Sequence, residues 1–175
     1  FDLGDIAKGF IADEVVELLK KNDVTSAIVD LGGNIYVLGQ SPTGKDWTVG
    51  IQDPFAPRGQ TVGKLPLTNK SIVTSGIYER YIEVDDVKYH HILNPKDGYP
   101  YDNGLAGVTI ISDKSIDGDA LSTLVFSKGL KDGMDYVESL DGVDAIFITK
   151  DKTVYITSGI KDTFTLTNEQ FTLVD

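Results

Sequence analysis

Cysteine is absent from the sequence, which excludes disulfides, thiolate catalysis and metal sites built on sulfur. Long apolar runs are absent too: no stretch reaches about 18 apolar residues, so we predict no membrane-spanning helix. Basic residues are few, with 16 lysines and arginines against 27 acids and a formal charge of −11. Such a charge repels nucleic acid and anionic lipid. A phosphate-bearing ligand would therefore need a metal ion, a lysine or backbone amides at its site.

An initiating methionine is also missing, since the chain starts at Phe1. We expect a further N-terminal portion. Whether the protein has a signal peptide or a lipid anchor could be judged only from that portion. The 175 residues are enough for one domain with a full core. Helix-like and strand-like segments both occur along the chain, but they do not alternate regularly. This predicts an α+β fold over 1–175, with mixed or antiparallel sheets and about three helices in a single compact domain.

Apolar periodicity predicts the helices and most of the strands. Helical spacing is present over 11–21, after a glycine-bearing loop over 1–10, and again over 129–140. The predicted strands cover 25–30, 31–38, 47–53, 70–76, 78–84, 87–93, 107–112, 145–149 and 153–157.

Turn residues place two hairpins and one loop. Gly32 and Gly33 stand between two apolar strands and predict a hairpin or a bulge, or a plain turn. Asp85 and Asp86 separate two alternating segments and predict a second hairpin. The segment 54–63, with its prolines and glycines, predicts an exposed loop.

Oxygen-bearing side chains gather after the strand over 107–112. A helix-like run begins at Ala120, and Asp119 and Thr123 are four residues apart, so on a helix they would share one face. A carboxylate and a hydroxyl are hard oxygen ligands, which suit Mg²⁺ together with phosphate and water. The aspartate could instead be a helix cap, the commoner role for Asp at such a position. These residues alone leave both interpretations open.

Two further groups could serve a phosphate ligand. Gly4, Lys8 and Gly9 would bring backbone and one cation close to an anion, or form a tight turn with a solvated lysine. The two histidines, His90 and His91, are adjacent at a strand end, where alternation points them to opposite faces. At most one therefore faces a given site. A histidine, with a pKa of about 6.5, suits proton transfer, although a strand histidine is more often structural.

Four stretches read together resemble the FAD:protein FMN transferase family, also called the ApbE family. They are residues 2–10 (DLGDIAKGF), 31–34 (LGGN), 74–80 (TSGIYER) with 91–95 (HILNP), and 119–123 (DALST). Their order and spacing extend over the chain, and the joint match is far more specific than any one stretch. The family moves FMN from FAD to a threonine or serine hydroxyl of a target protein through a phosphoester, using Mg²⁺.

The resemblance implies a role for each matching residue. Asp119 and Thr123 match side-chain ligands of Mg²⁺. Asp5 matches a position that offers a backbone carbonyl to the metal, where glycine or alanine is usual, so it adds a charge beside the metal. His91 matches the histidine that would take the proton of the acceptor hydroxyl. The implied contacts of FAD are Asp2, Lys8 and His90.

We therefore predict an enzyme, an FAD:protein FMN transferase that releases AMP, with FAD, Mg²⁺ and a target protein as partners and no nucleic acid. The alternative is a non-catalytic FAD-binding module or flavin carrier, which would need Lys8 and the glycine loops but not His91.

The resemblance also implies an extracytoplasmic location in the bacterial cell envelope, with membrane association only through an N-terminal anchor. Family members carry a substantial N-terminal portion that completes the flavin and adenine pocket. We expect these residues to hold the metal and pyrophosphate half and to bind FAD weakly alone.

Overall fold

The structure, a computed structural model, describes residues 3–174 without the side chain of Asp5. Its helices are α1 (Gly4–Lys21), α2 (Ser115–Lys128) and α3 (Leu130–Glu138), with a short 3-10 helix at Ser158–Ile160. Its strands are β1 (Ala27–Leu31), β2 (Asn34–Leu38), β3 (Trp47–Gln52), β4 (Thr61–Leu67), β5 (Lys70–Gly76), β6 (Tyr81–Val84), β7 (Val87–His90), β8 (Leu105–Ser112), β9 (Asp144–Thr149), β10 (Thr153–Ile156), β11 (Thr165–Leu166) and β12 (Thr172–Val174). No helix in this part of the chain is long and apolar enough to cross a membrane.

Seven strands form one sheet in the order β1-β2-β5-β8-β9-β10-β12. Neighbouring strands in it are antiparallel except β10 and β12, which are parallel. A second sheet has the order β11-β4-β3, and β6 pairs with β7 as a separate hairpin. Mixed sheets with three α-helices confirm the predicted α+β fold.

The large sheet is covered on both faces around β8, and all eight residues of that strand are buried. Successive residues of a strand point to opposite faces. Ile110 accordingly packs with Phe126 and Phe147 beneath α2 and α3, whereas Ile111 packs with Leu65 toward the three-stranded sheet. Burying one such side chain contributes about 1.5–3 kcal/mol. One apolar layer therefore anchors α2 on the central strands, and the layer on the opposite face holds the three-stranded sheet against them.

Both predicted hairpins are confirmed. Gly32 and Gly33 connect β1 to β2 with φ values of +66° and +95°. Asp85 and Asp86 connect β6 to β7 with φ values of +51° and +62°. A two-residue turn with positive φ at both positions matches the twist of the strands it joins, and glycine and aspartate tolerate that conformation best.

Several predicted boundaries are wrong. The strand expected over 78–84 begins only at Tyr81, and the strand expected over 87–93 ends at His90. The loop expected over 1–10 is helical from Gly4 onward, because α1 packs along α2 and this contact compensates for two glycines of low helix propensity. The loop expected over 54–63 ends early, since β4 begins at Thr61. Pairing with β3 and β11 draws Thr61 and its neighbours into the second sheet.

Candidate active site

Every stretch of the family resemblance contributes to the wall of one cleft of about 1170 Å³. This main cleft opens between α1, the β1–β2 turn, β5, α2 and the root of the β6–β7 hairpin. Its walls include Lys8, Gly33, Tyr78, His91, Asp119 and Thr123. Residues more than 100 positions apart along the chain thus meet in one place, which their order alone does not reveal.

Asp119 is the fifth residue of α2 and is 5% exposed. Its Oδ2 accepts a hydrogen bond of 2.8 Å from the backbone N–H of Gly9 in α1. This approach requires glycine, because a Cβ at residue 9 would lie 2.5 Å from the carbonyl oxygen of Ser115. The close contact of α1 with α2 therefore holds one carboxylate oxygen of Asp119 in place at the cleft.

The interpretation of Asp119 as a helix cap is wrong. α2 begins at Ser115, not at Ala120, and a residue of α1 caps it. Asp13 Oδ1 accepts from the N–H of Ser115 at 2.8 Å, and its Oδ2 accepts from the N–H of Ile116 at 3.0 Å. A carboxylate there satisfies donors that a helix leaves open and suits its positive end. Asp119 lies a turn further along and is not needed for that purpose.

Thr123 lies one turn beyond Asp119 on the same wall, as the spacing of four predicts. Its Oγ1 is 3.2 Å from Oγ of Ser75 in β5. Ser75, only 9% exposed, also donates to Oγ of Ser122 at 2.9 Å. Sequence reasoning missed Ser75, although a hydroxyl inside a short apolar strand was a usable signal.

The charge of the cleft is opposite to that of the chain. Among the described residues, five basic side chains line it against three acidic ones, whereas the whole chain has a formal charge of −11. The basic residues are Lys8, Arg58, Arg80, Lys88 and Lys150, and the acidic residues are Asp30, Glu79 and Asp119. A concave surface of locally positive charge favours an anionic ligand.

Tyr78 and Glu79 line this cleft, and the pKa of each is raised. Burial raises the pKa of the Tyr78 phenol above its ordinary value, so this group stays a neutral hydrogen-bond donor. Glu79 is an exposed residue that lines the cleft, and partial loss of hydration raises the pKa of its carboxyl. The positive charge of Lys8, and that of His91 when its ring is protonated, lowers the pKa of Glu79 in turn.

The two histidines differ in access, but both line the cleft, so the expectation that at most one faces a given site is wrong. β7 ends at His90, and His91 lies outside the strand, where alternation no longer separates the two side chains. His90 is 7% exposed, and its Nε2 lies 3.0 Å from the carbonyl oxygen of Tyr101. Its Nδ1 is buried and has no hydrogen-bond partner among the described residues. His91 is exposed, and its Nδ1 lies 3.2 Å from the carbonyl oxygen of Arg80. A carbonyl only accepts, so Nδ1 of His91 carries the hydrogen, and Nε2 of the neutral ring is left to accept a proton.

The donor set at the cleft fits a sparsely ligated metal ion. Within the described residues, no group of three or more His, Cys, Asp or Glu side chains could hold a metal. Asp119 and Thr123 offer one carboxylate and one hydroxyl, and Mg²⁺ is commonly held by one or two protein oxygens with water and substrate phosphate. Asp5 lies in the first turn of α1. Its side chain and the whole of Asp2 lie outside the described residues, so their predicted roles stay predictions.

Comparison with known proteins matches residues 1–147 to the sequence model described as the ApbE family. The chain belongs to the ApbE family. It is 41% identical over 174 residues to a FAD:protein FMN transferase of Klebsiella pneumoniae, covering 99% of this chain and 53% of that protein. It is also 41% identical over 180 residues to a FAD:protein FMN transferase of Treponema pallidum, covering 98% and 50%. The chain thus spans about half the length of these curated relatives.

Solved ApbE structures share the fold. The ApbE protein of Thermotoga maritima superposes with a TM-score of 0.82 at 33% identity, covering 92% of this chain and 52% of that one. The flavin transferase ApbE of Vibrio cholerae superposes with a TM-score of 0.79 at 28% identity, covering 93% and 52%. Family and fold are thereby established, and the roles of Lys8, His90, His91, Asp119 and Thr123 stay predictions.

Proposed function

We propose that this chain carries the metal- and phosphate-binding part of an FAD:protein FMN transferase. The reaction moves FMN from FAD to a threonine or serine hydroxyl of a target protein, forms a phosphoester and releases AMP. The names of the Klebsiella and Treponema relatives support the donor and the protein acceptor. The observation that carries the proposal is the buried carboxylate of Asp119, which lies with Thr123 in a locally basic cleft of an acidic protein.

Asp119 and Thr123 would hold the Mg²⁺ ion. Their oxygens belong to the class of ligand that this ion prefers, and their small number leaves room for phosphate oxygens. When bound there, Mg²⁺ would offset charge on the pyrophosphate and on the leaving AMP. The N–H of Gly9 fixes one oxygen of Asp119, so α1 would orient the carboxylate before any ligand enters. Lys8, on the same wall, would add a second positive charge against the phosphates.

His91 would take the proton in this reaction. The acceptor oxygen bonds to the FMN-side phosphorus, the bond from that phosphorus to the AMP oxygen breaks, and the electron pair leaves with AMP. The hydroxyl proton passes to Nε2 of His91, the ring atom left open by the contact of Nδ1 with Arg80. A positioned general base typically contributes about 10²- to 10⁴-fold in rate. His90 is a poorer base because its unprotonated nitrogen is sealed from solvent.

The test is incubation of the full-length protein with FAD, Mg²⁺ and a target protein that one of the curated relatives flavinylates. Flavin fluorescence that stays with the denatured target, together with an equal amount of AMP, is the expected result. Binding of FAD with neither product would overturn the transferase and favour the non-catalytic FAD-binding module. Heat-denatured enzyme and a target whose acceptor threonine is replaced by alanine serve as controls.

A further inference from the structure

Three hydroxyl groups, those of Ser122, Ser75 and Thr123, form a chain at the cleft wall. Ser122 Oγ donates to the carbonyl oxygen of Asp119 at 3.1 Å, and Ser75 Oγ donates to Ser122 Oγ at 2.9 Å. The hydroxyl oxygens of Ser75 and Thr123 are 3.2 Å apart. Ser122 is 1% exposed and Ser75 is 9% exposed, so water hardly competes for these bonds.

The number of available hydrogens sets the direction of this chain. Each hydroxyl has one hydrogen to donate, and a carbonyl oxygen can only accept. Ser122 therefore donates its hydrogen to the carbonyl oxygen of Asp119. Ser75 must then be the donor in its contact with Ser122. The contact between Ser75 and Thr123 is then left with the hydrogen of Thr123. Any other assignment leaves one of the three contacts without a hydrogen.

We propose that Ser75 is a positioning residue that turns the hydroxyl hydrogen of Thr123 inward and leaves its oxygen lone pairs directed to a bound divalent cation. The inference rests on the proposed function, in which Asp119 and Thr123 hold that cation. A hydroxyl hydrogen pointing into the cleft would oppose the positive charge. A cation on the oxygen of Thr123 also makes its hydroxyl a better donor, so the bond to Ser75 and the metal contact strengthen each other.

The experiment measures binding of Mn²⁺, a spectroscopic substitute for Mg²⁺, by loss of the electron paramagnetic resonance signal of free Mn²⁺. The protein is titrated with Mn²⁺ alone and with Mn²⁺ plus FAD. Ser75→Ala should raise the apparent Kd for Mn²⁺ about 10- to 100-fold, the usual effect of removing a residue that orients a metal ligand. Ser75→Thr keeps a hydroxyl and should recover most of that loss. Ser75→Cys, which substitutes a weak acceptor of similar shape, carries the same expectation as Ser75→Ala if the alanine variant does not fold.

Ser71 offers a matched control in the same strand. It is buried, and its hydroxyl donates to Oγ of Ser115 at 3.0 Å. Ser115 belongs to α2, the helix that carries Thr123, but this contact lies away from the cleft. Ser71→Ala should lower the melting temperature to a similar extent and leave the Mn²⁺ Kd within about twofold. Equal weakening of Mn²⁺ binding by Ser71→Ala and Ser75→Ala would show a structural effect only and overturn the inference.

Two further variants, Thr123→Val and Asp119→Asn, distinguish a failure of this inference from a failure of the proposed function. If Thr123→Val weakens Mn²⁺ binding and Ser75→Ala does not, the role of Ser75 is overturned and the metal site stands. If neither Thr123→Val nor Asp119→Asn changes Mn²⁺ binding, or the wild-type protein binds no Mn²⁺, the metal site itself is wrong. The inference about Ser75 then fails with it.

Discussion

Two walls of the main cleft, which is also lined by β3 and the loop that follows it, are built differently. On the α2 wall, Asp119 and Ser75 are buried, and their side chains bond to Gly9, Ser122 and Thr123. On the hairpin wall, all four residues of β6 are exposed, and Ile82 exposes 67% of its surface. One wall is held by packing and hydrogen bonds from three elements, whereas the other is a two-stranded hairpin that pairs only with itself among the described strands.

This contrast suits a reaction with one small charged partner and one polypeptide partner. Pyrophosphate and a metal ion gain from groups that are oriented before binding, because no reorganisation is then needed during the reaction. A protein acceptor must bring its hydroxyl in from solvent and needs an open approach. In the proposed reaction the α2 wall would hold the donor, and the acceptor would enter past the hairpin and His91.

The largest effect is expected from Asp119→Asn, which tests the buried wall. The amide oxygen can still accept from Gly9, so the fold should persist, but the lost charge should abolish Mg²⁺-dependent transfer. Transfer is measured as flavin bound covalently to the target, and folding by circular dichroism. Asp117→Asn changes an exposed carboxylate of the same helix and should leave transfer unchanged. A fully active Asp119→Asn enzyme would remove this residue from the metal site.

His91→Ala tests the open wall and should have the next largest effect. Transfer should fall about 10²-fold or more, the usual contribution of a general base. Binding of FAD should change little, because the proton comes from the acceptor and not from the donor. His90→Ala should slow transfer much less, although it leaves a void beside the ring of Phe126, 5.8 Å away between centroids. Greater loss of rate from His90→Ala than from His91→Ala would reverse this assignment.

Gly9→Ala tests whether the contact of α1 with α2 orients Asp119. The added Cβ would lie 2.5 Å from the carbonyl oxygen of Ser115 and 2.8 Å from Cβ of Asp119. Overpacking of this kind costs about 1–3 kcal/mol, which lowers the melting temperature by about 2–4 °C per kcal/mol. Transfer should fall as well, because the helices separate and Asp119 loses its N–H donor.

Glu14→Gly is the control for Gly9→Ala. Glu14 is exposed in the same helix, and glycine there should cost about 1 kcal/mol without touching α2. Both variants should melt earlier, and only Gly9→Ala should lose transfer. Equal transfer activity of Gly9→Ala and Glu14→Gly would show that the contact of α1 with α2 stabilises the fold but does not orient Asp119.

The smallest expected effect concerns pH and His90. Burial lowers the pKa of His90, against the opposing contact with the carbonyl of Tyr101. The folded protein then binds fewer protons than the unfolded chain below about pH 6.5, the ordinary histidine pKa, so stability from His90 is present above that pH and is lost as the pH falls. The melting temperature between pH 7.5 and 5.0 should therefore fall less steeply in His90→Gln than in the wild type. An unchanged slope in His90→Gln would contradict this role of His90.

Local signals in the sequence were sufficient for much of the fold. Gly32 with Gly33 and Asp85 with Asp86 predicted their hairpins, because a two-residue turn with positive φ is a property of the turn residues themselves. The spacing of Asp119 and Thr123 predicted one shared helix face, because helical geometry depends only on the number of intervening residues. The four resembling stretches predicted the family from residue identity and order.

Other features were decided by contacts between distant parts of the chain. α2 begins at Ser115 because Asp13, 102 positions earlier, accepts its N–H. Gly9 donates to Asp119 across 110 positions, and Ser75 meets Thr123 across 48. His90 and His91 both line the cleft because β7 ends between them, and burial against Phe126 excludes solvent only from His90. Residue types and local spacing supplied the candidate groups, and only tertiary packing set which oxygen, N–H or ring nitrogen each one presents to the cleft.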